Sequence, residues 1–148
     1  MNKLFYILFL AVLFSCSQSK TVSANQYNND TQCVRDNMDG TIVVKSWGTG
    51  ANINEAVKMA KKRALNDVMF LGITYGKSDC GVIPLVNEPN AKLKHESYFN
   101  NFFSENGTYQ NYVELVSGAN AYKNEPIPLK VKKSELKQKL INDGIIKN

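Results

Sequence analysis

Between Asn52 and Gly72, alanine recurs at every fourth position, as Ala56, Ala60 and Ala64. With 3.6 residues per helical turn the three methyl groups share a face, and a face that small lets a helix axis come close to a sheet. Ile53, Val57, Val68 and Leu71 extend the same stripe, while Lys58, Lys61, Lys62 and Asn66 lie off it. Asn52 with Glu55 three residues later matches an N-terminal capping box, and Gly72 suits a helix end. The spacing predicts a helix over residues 52–71, its alanine face against a sheet and Lys58, Lys61 and Lys62 exposed. Such a helix needs strands to lie on.

Residues 31–35 and 41–47 are β-rich, and the segment between them ends in Asp39-Gly40, a strong turn signal; a hairpin is expected. Gly48-Thr49-Gly50 then breaks the chain before the helix. After a glycine-rich loop at 72–81, residues 82–86 read as an edge strand, because Pro84 has no N–H to give a ladder. Pro89 opens a second helix over 90–105, whose His95, Tyr98, Phe99, Phe102 and Phe103 follow helical spacing. Residues 109–117 and 127–131 read as two further strands. Ser134 caps a short last helix carrying Leu136, Leu140 and Ile141, closed by Gly144. The order ββαβαββα implies an α+β domain: a mainly antiparallel sheet with helices packed on one face.

The amino terminus has a different character. Lys3 precedes an uncharged apolar run at residues 4–14, which fits a signal-peptide core and is too short to span a bilayer as a helix. The run stops at Ser15-Cys16, and Leu13-Phe14-Ser15-Cys16 resembles the lipobox of bacterial lipoproteins, with Phe14 bulkier than usual at its position. The resemblance implies cleavage after residue 15 and acylation of Cys16; an ordinary signal peptide is the alternative. Each buried CH₂ contributes about 0.8 kcal/mol, so the two or three chains of such a cysteine hold a protein firmly to a membrane. Residues 16–31 are polar and aperiodic, a tether, and 32–148 form the single folded domain. No acidic cluster of the kind that directs some lipoproteins to the cell surface follows Cys16, so an outer-membrane location facing the periplasm is expected.

The formal charge of +5 falls to +4 once Lys3 is removed with the leader. Lysine clusters occur at residues 58–62 and 130–139. Basic faces attract phosphates, yet an exported domain is in the wrong compartment for nucleic acid. With Cys16 acylated, Cys33 and Cys80 remain, an even pair in an oxidising compartment; a disulfide is expected, with two free buried thiols as the alternative. Catalytic and metal-binding constellations are missing from the pattern. His95 is the only histidine and lies on an aromatic helix face. Asp36 and Asp39 lack the ligand spacing of a calcium loop. Gly48-x-Gly50 lacks the further residues of a phosphate-binding loop. Neither enzymatic activity nor a cofactor is expected.

The strand at 41–47, the Gly-x-Gly break and the helix with Glu55-Ala56, Ala60 and Ala64 resemble the strand–glycine–alanine-helix unit of the lipoprotein-20 family, shared by the amino-terminal domain of flagellar assembly protein T. Residues 33–73, with the helix at 134–146, also resemble a group of small lipoproteins of Gram-negative anaerobes and their relatives. The resemblance implies a structural or assembly component of the envelope, and no activity. Two functions are open on this reading. One is docking on another envelope protein through the sheet or the basic helix face of Lys58, Lys61 and Lys62. The other is a cleft for a small ligand or glycan, with Trp47 as a contact and Tyr98 or Tyr122 beside it.

Overall fold

The computed structural model describes residues 30–118 and 125–147. The apolar leader, Cys16, nearly all of the expected tether and Tyr122 lie outside the described residues. Five strands form one sheet in the order β3-β1-β2-β5-β4. β1 (Gln32–Asp36) and β2 (Ile42–Ser46) make the expected antiparallel hairpin. β2 continues antiparallel to β5 (Ile127–Val131), and β5 to β4 (Val113–Leu115). β3 (Tyr75–Gly76) is the exception, lying parallel to β1 and making the sheet mixed. The domain is α+β with a mostly antiparallel sheet.

The long helix α1 (Ile53–Asn66) lies against β2, β5 and β4. Ala56, Ala60 and Ala64 are at most 1% exposed, and they share one core with Ile42 and Val44 of β2 and with Ile127, Leu129 and Val131 of β5. Gly48 shows how close the approach is: a Cβ there would stand 1.8 Å from the Ala56 carbonyl oxygen. The Glu55 N–H donates to Asn52 Oδ1 at 3.0 Å, and the Glu55 carboxylate accepts from the Ala51 N–H at 2.8 Å. The capping box therefore reaches one residue further back than its usual form.

α1 runs into a π turn, Asp67–Leu71, closed when the Gly72 N–H donates to the Asp67 carbonyl at 2.7 Å. The wider turn rotates Leu71 off the buried stripe, and it is 69% exposed rather than packed. Three polar side chains are buried here. Thr31 Oγ1 donates to Asp67 Oδ2 at 2.5 Å and lies 3.0 Å from Ser46 Oγ, tying the start of β1 and the end of β2 to the π turn.

Four expectations are corrected. Residues 82–86 are not a strand; only Val82 bridges Ile73, while the Leu85 and Val86 N–H groups donate to the Val68 and Met69 carbonyls. The segment satisfies the orphan acceptors at the end of α1 instead of joining the sheet, and the edge strand lies earlier, within the glycine-rich loop. The second helix is two pieces, α2 (Ala91–Lys94) and α3 (Glu96–Phe102), because His95 leaves helical geometry at φ −115° and ψ 34°. Residues 108–112 form a 3-10 turn that buries Tyr109 and shortens the strand to β4. Ser134 does not cap α4 (Lys133–Asn142): its N–H is taken by the Gly40 carbonyl at 2.9 Å, so the hairpin turn caps the helix. The observed order is therefore ββαβααββα.

Candidate functional site

Cys33 and Cys80 are bonded, with Cα atoms 5.7 Å apart, and both are buried. The arrangement follows from β3: Gly76 pairs beside Cys33, the Lys77 N–H donates to the Cys33 carbonyl at 3.0 Å, and the Cys80 N–H to the Lys77 carbonyl at 3.1 Å. A tight turn thus returns Cys80 to β1. This is a structural bridge with no exposed sulfur.

A groove of about 350 Å³ lies beside α1. Trp47, Gly48 and Thr49, leaving β2, form one wall, and Phe103 stands on the other side. Between them runs an outward stripe of α1: Met59, Lys62, Arg63 and Asn66. The i, i+3, i+4, i+7 spacing of that stripe puts all four on one face, opposite in character to the alanine face. No lining residue is acidic.

Its electrostatics are set by two cations, one of which lies over an aromatic ring. Lys62 Nζ stands 5.3 Å from the Tyr109 ring centroid, and neither Lys62 nor Arg63 makes a salt bridge among the described residues. The Trp47 indole Nε1 is enclosed and has no hydrogen-bond partner, the one buried side-chain polar atom so placed among the described residues. Leaving such a donor unpaired costs about 1–3 kcal/mol.

No protein family, curated protein or solved structure matches the chain.

The groove's neighbours extend it along α1. At one end a depression shares Thr49, Met59 and Lys62 and adds Lys58 and Glu105, which form an ion pair. The Lys58 hydrogen bond to Glu105 pulls the carboxyl below its usual range and raises the ammonium. At the other end a depression shares Asn66 and Phe103 and adds Phe70, Lys92 and Leu93. Lys92 Nζ donates to Asn66 Oδ1 at 2.6 Å and lies 4.5 Å from the Phe70 ring centroid.

Of the residues singled out from sequence, Trp47 and Lys62 come together, and Lys58 lies one depression away. Lys61 is half-buried and outside the groove, and Lys62 is half-buried too, so only Lys58 of the three is exposed as expected. Tyr98 does not reach Trp47. Its hydroxyl donates to Asp143 Oδ2 at 2.6 Å; burial first, and then this bond, push the phenol pKa well up. His95 is a rim residue, 3.6 Å from Glu88 and edge-on to Phe99. Met59, Arg63 and Asn66 were missed although their spacing is visible in the sequence. Phe103 stands on the aromatic stripe that helical spacing marks in the sequence, and it reaches the groove where Tyr98 and Phe102 do not. Among the described residues no group of three or more His, Cys, Asp or Glu is placed to hold a metal ion, and no helix is long and apolar enough to cross a membrane.

Proposed function

We propose that the chain is a non-enzymatic lipoprotein of the cell envelope, anchored to the outer membrane through acylated Cys16 and facing the periplasm. Its domain serves as an assembly or docking component that holds another envelope protein. The observation that carries the docking role is the groove beside α1, where exposed Met59 and half-buried Trp47 and Phe103 lie next to cations that make no salt bridge among the described residues. Apolar surface rimmed by charge is characteristic of protein contact sites. The likeness to the lipoprotein-20 unit points the same way.

Two experiments test the reading. Replacing Cys16 by Ala should leave the protein unprocessed or released on membrane fractionation; normal retention of the variant would refute the anchor. A photo-crosslinker at Thr49 should trap a discrete protein adduct in the native envelope, absent when the crosslinker stands at Lys45 on the opposite side of the sheet.

A second reading is a binding module for a small ligand or glycan. Trp47 in the wall of a cavity of about 350 Å³ favours it, since small-ligand sites occupy roughly 300–1,000 Å³. Saturable quenching of the fluorescence of Trp47, the only tryptophan, by a soluble glycan or metabolite would support this reading over docking.

A further inference from the structure

We infer that the groove beside α1 receives an acidic amphipathic peptide segment of the partner protein, apolar residues on Met59, Trp47 and Phe103 and carboxylates on Lys62, Arg63 and Lys92. The inference rests on the docking reading and adds the chemistry of what docks.

Shape is the first argument. The three depressions share lining residues and follow α1 and its π turn from Glu55 to Phe70. Fifteen residues at 1.5 Å each make a trough about 22 Å long. A compact metabolite fills only the middle of such a trough, whereas a helix of about four turns lies along all of it, in the manner of helix-in-groove recognition.

Charge is the second. Within the trough the carboxylates are Glu55, Glu96 and Glu105, and Glu105 is held by Lys58. Lys62, Arg63 and Lys92 have no carboxylate within salt-bridge distance among the described residues. Two of them are instead parked over aromatic faces, Lys62 on Tyr109 and Lys92 on Phe70. Three such cations spaced along an apolar strip complement a helix that carries acids beside large apolar residues.

The apolar component is the third. Met59 is 49% and Leu93 75% exposed, one towards each end of the trough. Trp47 adds a wall whose enclosed N–H gains an acceptor if the indole turns towards a bound segment.

The test uses the full chain in phosphatidylcholine nanodiscs, with peptides selected from a random library displayed on phage and counter-selected on empty nanodiscs. Binding of each labelled peptide is read by anisotropy. The expected result is enrichment of Asp and Glu beside Leu, Phe or Trp at helical spacing. Affinity should fall about tenfold in both Arg63→Glu and Lys92→Glu, and also between roughly 0.05 and 0.5 M salt. Arg63 and Lys92 are exposed, and an unchanged melting temperature would exclude unfolding; the milder Lys62→Gln should weaken binding in the same direction. Peptides that bind, and are blocked by Met59→Trp, yet show no acidic enrichment and ignore the charge reversals would overturn this inference and leave docking intact. If no selected peptide is sensitive to Met59→Trp while dodecanoate binding is, both the inference and the docking reading fall.

Discussion

The Thr31 hydroxyl donates to Asp67 Oδ2 across 36 positions of chain, joining the residue just before β1 to the π turn that ends α1. Asn66 Nδ2 gives the other carboxylate oxygen a donor at 3.1 Å. Thr31→Val keeps the shape but leaves a buried carboxylate oxygen short of a donor. The expected cost is about 1–3 kcal/mol of unfolding free energy, read by urea denaturation. A change below about 0.5 kcal/mol would mean that the bond contributes nothing net.

Gly48 has no room for a side chain, because its missing Cβ points at the Ala56 carbonyl. Gly48→Ala should destabilise the domain by about 1–3 kcal/mol, the usual cost of overpacking a close contact. Since Trp47 is its neighbour, the emission of the single tryptophan should shift in the same variant. An unshifted spectrum and an unchanged melting temperature would together count against the close approach.

The bridge between Cys33 and Cys80 closes a loop whose ends are 47 positions apart. Chain-entropy arithmetic gives about 3–4 kcal/mol for such a loop. The double variant Cys33→Ala, Cys80→Ala should lose most of that, and hydrogen exchange should quicken first at Ile73 and Lys77, whose N–H bonds hold the loop to Val82 and β1. Thiol titration of the unfolded, unreduced protein should find neither cysteine free.

Asp143 sets an acid sensitivity. Burial opposes its ionisation, but the bonds from Lys139 and Tyr98 outweigh burial and hold its pKa below the ordinary 3.8. A carboxyl with a depressed folded pKa contributes stability that is fully present above its unfolded value and lost as pH falls through the folded one. The loss therefore falls below about pH 4. Asp143→Asn should flatten that part of the stability curve, and Tyr98→Phe should flatten it less. Curves that superimpose on the parent below pH 4 would contradict the assignment.

Local signals in the sequence carried well where one element decides the outcome. Asp39-Gly40 made a hairpin, Asn52 and Glu55 a helix start, and Ala56, Ala60 and Ala64 a buried face. They failed where a distant group competes for a backbone donor. Leu85 and Val86 read as strand residues, but the free carbonyls of Val68 and Met69 take their N–H groups. Ser134 reads as a cap, but the Gly40 carbonyl reaches its N–H first. The groove was half legible: Trp47 and Lys62 were singled out, and the Met59–Arg63–Asn66 spacing was open to view. Phe103 was visible on the aromatic stripe of the second helix, whereas the break at His95 is announced by no local pattern.

The bond between residues 33 and 80 encloses more than the glycine-rich loop. Trp47, the whole of α1 and the π turn lie on the chain between the two sulfurs, so most of the groove belongs to a covalent ring. One proteolytic nick inside that ring cannot separate the pieces. A clipped molecule migrates as a single band until a reductant is added, and its two ends remain tied at the sheet edge where β3 meets β1.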